Sequence, residues 1–347
     1  MLTYELYWEP AADGGARLLR VFGMTAEAVL PGQIEGRPLT EIGDYCFAER
    51  KHLPENYRRI RIECGETHTL SCEYTGNGAL YMVSNGGDAP VELHELSGGY
   101  IERVVLPDTV EKVGNFAFYN ASSLTCLEIG EKLIGIGSDA FMNCRKLHRL
   151  YLRCGYGKKS GLRQILAQIS HDMEVSFGDE GSTWAKVLFP EYYESYDEIA
   201  PAHIFGRNIE GEGFRARQSF RDGVMDFAQY DLIFPKACVE EKEETLCRLA
   251  YNRLFYPVML GQEAKRLYTE YLIAHTAALC GMAVSTKDME LVAFFCRQQI
   301  FTRADIECCI GYASEAEWVE GNAYFMRLLE KYFPRKERMS RYEFEDF

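Results

Sequence analysis

The sequence has no long uninterrupted run of apolar residues. Its 347 residues are 47% hydrophobic and 26% charged, a composition that excludes wholesale disorder. The most apolar stretch runs from Tyr271 to Val284 and carries His275 in its middle, whereas a membrane-spanning helix needs about 18 consecutive apolar residues or more. We therefore expect a chain without a membrane span, long enough for about two domains.

Basic residues are in deficit, with 38 Lys and Arg against 52 Asp and Glu, for a net charge of −14. This balance argues against non-specific binding to nucleic acid or to anionic membranes. Residues 1–5 lack the basic start and apolar core of a secretory signal, so we expect a cytoplasmic location. The 12 cysteines include no Cys-x-x-Cys motif and are interpreted as reduced thiols.

Signatures of catalysis and of metal binding are also missing. The sequence contains no Gly-x-Ser-x-Gly, no His-Glu-x-x-His and no phosphate-binding loop motif. Cysteine and histidine alternate at residues 64–72 and again at residues 144–154, but neither spacing matches that of a zinc site. We therefore predict no enzyme, no metal site and no cofactor.

What the sequence does contain is an internal repeat. The segments Ile42–Phe47, Val113–Phe118 and Ile136–Phe141 share the pattern apolar-Gly-x-x-small-Phe, and the last two are 23 residues apart. Each unit also contains a short alternation of apolar and polar residues, such as Leu127–Ile129, that is typical of a strand with one buried face. One such unit cannot bury its apolar side, so we expect stacked units with a parallel ladder of strands.

In these motifs the chain resembles the BspA-type leucine-rich repeats. The stretch Val105–Leu124 carries the strand, Pro, Val-Gly, Ala-Phe and Leu positions of that pattern, and the following copy has Ile136-Gly137, Ala140-Phe141, Cys144 and Leu147. The resemblance covers about residues 16–154 and implies a solenoid. It is interrupted between Cys64 and Gly99, which we interpret as a degenerate repeat or an inserted hairpin.

Beyond residue 178 the sequence favours helices. From Thr183 the apolar spacing changes to a helical period, and an apolar stripe predicts one helix that ends near Gly281. Ser285–Asp288 and Thr302–Asp305 have the pattern of capping boxes that open helices. We expect at least five helices with short links, as in a bundle or a short α-solenoid, and a frayed charged tail at residues 335–347.

The sequence thus predicts an α+β fold: a leucine-rich-repeat solenoid with a short parallel β-ladder, followed by an all-α helical domain. The predicted domains are residues 1–178, with an N-terminal cap, and residues 179–347.

The outward-facing strand residues of the solenoid form the candidate binding face. They are Arg59, Arg61, Arg103, Val105, Cys126, Glu128, Arg149, Tyr151 and Arg153. Arg103, Cys126 and Arg149 fall at equivalent strand positions. When the same alternation of strand residues is applied to Tyr57–Ile62, Arg59 falls at a fourth equivalent position. A column of guanidinium groups would repel itself unless an anion or an acidic partner neutralised it. The alternative is that these are solvated strand residues already paired with Glu128 and nearby acids.

Fold and resemblance together predict a non-catalytic protein-interaction module that binds a protein partner through this face. Two alternatives stay open: an enzyme with its site in the helical half or at the domain junction, and an anion or nucleic-acid binder that uses the arginine column.

Overall fold

A computed structural model describes residues 2–49, 57–64, 81–83, 92–179, 182–199 and 204–334. The chain divides into two compact units. The first comprises Met1–Glu241 and Tyr256–Gly261, and the second comprises Lys242–Phe255 and Gln262–Phe347. The predicted division at residue 178 followed the end of the repeat pattern, whereas the structure adds the next strands and short helices to the first unit.

The first unit contains the strands. Those before residue 100 are β1 (Leu2–Pro10), β2 (Ala16–Gly23), β3 (Glu27–Val29), β4 (Gln33–Ile34), β5 (Arg37–Ile42), β6 (Arg58–Cys64), β7 (Tyr81–Val83) and β8 (His94–Glu95). Those after residue 100 are β9 (Arg103–Val105), β10 (Lys112–Val113), β11 (Cys126–Gly130), β12 (Gly135–Ile136), β13 (Arg149–Arg153), β14 (Met173–Asp179), β15 (Ser182–Phe189), β16 (Tyr193–Ile199), β17 (Ile204–Glu210), β18 (Phe220–Arg221) and β19 (Val224–Met225).

The helices are divided between the units. Those of the first unit are α1 (Leu162–Leu166), α2 (Gly213–Ala216), α3 (Phe227–Asp231) and α4 (Phe234–Glu240). Those of the second unit are α5 (Glu243–Phe255), α6 (Gln262–Ala274), α7 (Thr276–Ser285), α8 (Met289–Arg297), α9 (Arg303–Glu315) and α10 (Val319–Tyr332).

The repeats build a sheet in the strand order β15-β14-β13-β11-β9-β3, which we call the repeat sheet. Its first five strands in chain order are parallel, and β15 pairs antiparallel with β14. Leu127 pairs with Val104 on one side and with Leu150 on the other, which is the register that the 23-residue period predicts. The predicted solenoid with a short parallel ladder is confirmed.

A second, nine-stranded sheet joins the turn strands of the repeats to the N-terminal strands. In it β12, β10 and β5 are parallel, and β2, β1, β6 and β7 follow in that order. Most of the predicted interruption at residues 64–99 lies outside the described residues. The predicted tail at residues 335–347 lies outside them as well.

Stacked aromatic rings fill the space between the turns. Phe118 stacks on Phe47 with ring centroids 4.8 Å apart, and on Phe141 at 5.1 Å. All three side chains are fully buried. Because each turn places the same position beside its equivalent, the predicted small-then-Phe pattern becomes a continuous apolar column.

The glycine of each Ile/Val-Gly pair lies against the neighbouring turn. A Cβ atom on Gly137 would lie 2.5 Å from the backbone nitrogen of Asn115, and one on Gly114 would lie 2.4 Å from Asp44 Oδ1. The turns are held together by side chains at the next position, where Asp44 accepts from the Asn115 amide at 2.8 Å and Asn115 accepts from the Ser138 amide at 2.9 Å. Glycine is therefore required by close approach rather than by backbone conformation.

The helical prediction for the segment after Thr183 is wrong up to Glu210, because β15, β16 and β17 occupy it. β16 and β17 form a two-stranded hairpin whose described side chains are almost all exposed. A hairpin with both faces in water shows no apolar alternation, so its sequence pattern does not indicate strands.

In the second unit, each helix of the pairs α5–α6, α7–α8 and α9–α10 contacts the other helix of its pair. α5, α7 and α9 contact one another in turn, and α8 contacts α10. The turns before α8 and α10 are equivalent, since Lys287 and Glu317, 30 residues apart, both adopt φ 53°. The helical half is confirmed.

Two details of the helical prediction need correction. The single helix predicted to end near Gly281 is broken at His275, which has φ −123° and whose Nδ1 lies 2.7 Å from the Tyr271 carbonyl oxygen. α8 begins after Asp288, whose side chain accepts from the Leu291 amide, and not at Ser285. The predicted capping box at Thr302 is confirmed.

The aromatic column predicts a large cost for a cavity at its centre. We expect Phe118→Ala to lower the free energy of unfolding of the first unit by about 3–5 kcal/mol, because a fully buried ring is lost between two others. Denaturant unfolding measures this, with the exposed Met142→Ala of the following repeat as the control. A loss no larger than that of the control would contradict the packing described.

The close approach at the glycines predicts a second effect. We expect Gly137→Ala to destabilise the first unit by about 1–3 kcal/mol, because its Cβ would overlap backbone atoms of the neighbouring turn. Gly99→Ala is the matched control, since the nearest atom to its Cβ would be 3.5 Å away. Equal stabilities of the two variants in denaturant would show that the turns are not tightly stacked.

Candidate functional site

Most predicted site residues lie on neighbouring strands of the repeat sheet. Cys126 pairs with Arg103 on β9 and with Arg149 on β13. Glu128 pairs in the same way with Val105 and Tyr151. The order Arg103, Cys126, Arg149 across the strands is therefore as predicted, and β14 adds Glu174 beside Arg149.

Arg59 and Arg61 are not part of this column. Both lie on β6, which pairs antiparallel with β1 in the nine-stranded sheet, where Glu5 is 2.9 Å from Arg59 and 3.6 Å from Arg61. The alternation in Tyr57–Ile62 indicates a strand, but it does not identify the partner strand. This part of the predicted site is wrong.

The expected exposure of the face is also wrong for most of its residues. Arg103 is 6% exposed, Glu128 3% and Arg153 9%, and the side chains of Cys126 and Tyr151 are buried. Of the predicted residues that lie on the repeat sheet, Val105 is half-buried and only Arg149 is exposed. Charges at this depth require partners, because an isolated buried charge has a prohibitive desolvation cost.

Glu128 is the central acceptor of the buried charges. Its Oε1 accepts from Arg153 Nη1, and its Oε2 lies 3.5 Å from Arg103 Nη2. Arg153 also donates from Nε to Asp108 Oδ1 at 2.8 Å and from Nη2 to the Leu106 carbonyl. Burial of the Arg153 guanidinium opposes its charge, but the charges of Glu128 and Asp108 outweigh burial and raise its pKa. The sequence alternative, that Glu128 pairs with these arginines, agrees with this geometry.

Two glycines make room for this network. Arg153 pairs in register with Gly130 on one side and Gly178 on the other. A Cβ atom on Gly178 would overlap the Tyr151 hydroxyl, and one on Gly130 would lie 2.6 Å from Asp108 Oδ1. Side chains at these two positions would displace the groups that surround Arg153.

Arg103 is held more weakly than Arg153. Its contact with Glu128 is 3.5 Å, and its Nη1 lies 3.9 Å from Glu27 Oε2. Within the described part of the chain, Nε and Nη1 of Arg103 have no hydrogen-bond acceptor. A buried guanidinium with unused donors is costly unless a further acceptor binds it.

Arg103 lines a cavity of about 410 Å³ on the repeat sheet. The other cations of the lining are Arg149 and Lys186, and its carboxylates are Glu128 and Glu174. Lys186 lies 3.6 Å from Glu174, whereas Arg149 has no ion-pair partner among the residues described. The lining also includes Cys126, Tyr151 and Tyr256.

The sequence pattern did not indicate Asp108, Glu174, Lys186 or Tyr256 as site residues. The 23-residue period places β14 approximately. It could therefore have identified Glu174 as the residue of the next strand that lies beside Arg149. Lys186 and Tyr256 lie after the end of the repeats, where the period does not predict any position.

The chemistry available here is anion recognition by buried and half-buried cations. Among the described residues no group of three His, Cys, Asp or Glu side chains has the geometry of a metal site. The Cys144 thiol instead donates to the Phe118 carbonyl oxygen, 3.1 Å away. His68 and Cys72 of the first Cys/His segment lie outside the described residues.

The buried network predicts the consequence of losing its acceptor. We expect Glu128→Gln to lower the free energy of unfolding by about 3 kcal/mol, because two buried guanidinium groups lose their shared carboxylate. Denaturant unfolding measures this, and the exposed Glu111→Gln is the matched control. A variant as stable as the wild type would show that Asp108 and backbone carbonyls suffice for both arginines.

Comparison with known proteins identifies the repeats. In the portion of the chain that is described, no helix combines the length and apolar character needed to cross a bilayer. Neither the curated proteins nor the solved structures compared with the chain include a match. A family model described as a BspA type leucine rich repeat region, in 6 copies, matches residues 96–159, as the resemblance predicted. Residues 96–159, in the N-terminal half of the chain, thus match the BspA-type leucine-rich repeats, and Arg103 and Arg153 lie within this stretch.

Proposed function

We propose that the chain is a non-catalytic protein-binding module whose binding face is the repeat sheet around the 410 Å³ cavity. Leucine-rich repeats commonly mediate protein interactions, and solenoids bind partners along their extended sheet surface. The cytoplasmic location stays a prediction from the sequence.

The observation that carries the proposal is the combination of this cavity with an unpaired cation. Its volume lies in the range of ligand-binding clefts. Arg149 is exposed and has no ion-pair partner within the described residues, so its charge is available to an acidic partner. Lys186, with 28% of its side chain exposed, lies on the same cavity.

The alternatives predicted from the sequence have less support at this site. The carboxylates Glu128 and Glu174 each lie within 4 Å of a cation, which suits binding better than proton transfer. Arg103 and Arg153 lie beside carboxylates, so the arginines do not form the continuous basic surface that nucleic acid requires.

A charge-reversal experiment tests the proposal. The intact chain is cross-linked in native extract and its partners are quantified by mass spectrometry, with Arg149→Glu/Lys186→Glu beside the wild type. We expect the recovered partners to fall at least about tenfold, because two attractive charges at the cavity become repulsive.

The control is Arg145→Glu/Lys146→Glu. It makes the same change in charge on exposed residues of the same repeat, away from the cavity. Partners retained by the control and lost by the cavity variant support the proposal. Equal recovery with both variants would overturn the assignment of the binding face, and recovery of nucleic acid instead of protein would favour the alternative.

A further inference from the structure

We infer that the cavity on the repeat sheet binds a single glutamate side chain of an extended partner segment, with the carboxylate between Arg103 and Arg149. The inference rests on the proposed function and adds to it the chemical group that is recognised.

The first observation is the set of unused donors on Arg103. Its side chain is 7% exposed and lines the cavity, yet Nε and Nη1 have no hydrogen-bond acceptor among the described residues. The two carboxylates near it are 3.5 and 3.9 Å away, beyond the distance of a strong charge-assisted hydrogen bond. These two donors face different edges of the planar guanidinium, and a carboxylate in the cavity would accept from one of them.

The second observation is the short side chain between the two arginines. Cys126 pairs in register with both Arg103 and Arg149, so their Cα atoms are about 10 Å apart, twice the spacing between strands. A long residue at position 126 would fill this interval. With cysteine there, the interval is part of the cavity lining.

The third observation is the charge of the lining. Three cations and two carboxylates line the cavity, which leaves one positive charge in excess among these side chains. That excess matches a carboxylate better than a phosphate dianion or a polyanion. Outside the lining, Arg153 pairs with Asp108 at 2.8 Å, and the Glu27 carboxylate lies 3.9 Å from Arg103 Nη1.

The different depths of Arg103 and Arg149 favour a carboxylate on a side chain over one on the partner backbone. Arg149 is exposed at the surface, whereas Arg103 is buried, so an anion that contacts both must reach inward from the rim. A glutamate side chain does this while the partner backbone stays outside. Tyr151 and Tyr256 provide ring surfaces for its methylene groups.

The test is nitrogen-15 NMR of the full chain labelled at arginine, with the Arg103 Nε–H signal assigned through Arg103→Lys. The probe is the blocked tripeptide acetyl-Gly-Glu-Gly-amide. We expect it to shift the Arg103 signal in a saturable manner, and the neutral acetyl-Gly-Gln-Gly-amide to leave it unchanged. We expect Arg149→Gln to weaken binding of the glutamate peptide about tenfold, because one charged partner is lost.

Two cysteine variants test the space without a change of charge. Cys126→Met fills the interval between the arginines and is expected to abolish the shift, whereas Cys126→Ser keeps the interval open and is expected to retain it. Thermal unfolding of both variants verifies that they are folded, and retention of the shift by a folded Cys126→Met variant would contradict the inference.

The arms of the titration separate the possible ligands. If acetyl-Gly-Gly with a free C-terminal carboxylate, or inorganic phosphate, shifts the signal as strongly as the glutamate peptide, the assignment of a glutamate side chain is overturned. If no probe shifts the signal while the cavity variant still loses its protein partners, the inference fails and the proposed function stands.

Discussion

In-register stacking of the turns is the constraint on which the first unit depends. Each residue of a repeat lies beside its equivalent at the spacing of neighbouring strands, so any property of one position is multiplied along the ladder. For apolar positions this is favourable, and Phe47, Phe118 and Phe141 become one column. For charged positions it is unfavourable, and the column that contains Arg103 and Arg149 needs an interruption and acceptors. Cys126 provides the interruption, and Glu128 provides the main acceptor.

The same constraint explains how the site differs from a simple basic stripe. A carboxylate on the middle strand can be shared by arginines on both neighbouring strands, and Glu128 is shared by Arg103 and Arg153 in this way. Sharing is unequal, because Arg153 also has Asp108 and the Leu106 carbonyl, whereas Arg103 has only long contacts. The sheet therefore combines a fully neutralised arginine with an incompletely neutralised one, and the second lies at the cavity.

The 23-residue period was sufficient to predict the solenoid and the register of Arg103, Cys126 and Arg149. It could not predict burial, because which arginine meets which carboxylate depends on side-chain reach and not on strand spacing. Arg59 was misplaced for a related reason: alternation identifies a strand but not its partner, and β6 pairs with the N-terminal strand. The hairpin of β16 and β17 has no buried face and gave no pattern. Lys186 and Tyr256 lie beyond the repeats, where the period carries no information.

The reversal of β15 at the end of the repeat sheet has a consequence for self-association. A parallel ladder of nearly identical turns is a template to which further copies could add through backbone hydrogen bonds, as strands do in fibrils. At one end this growth direction is changed by β15, which runs antiparallel to β14 and whose buried residues include Ala185 and Val187. At the other end the edge strand β3 spans only three residues. Neither end of the ladder therefore presents a full strand in the direction and register of the repeats.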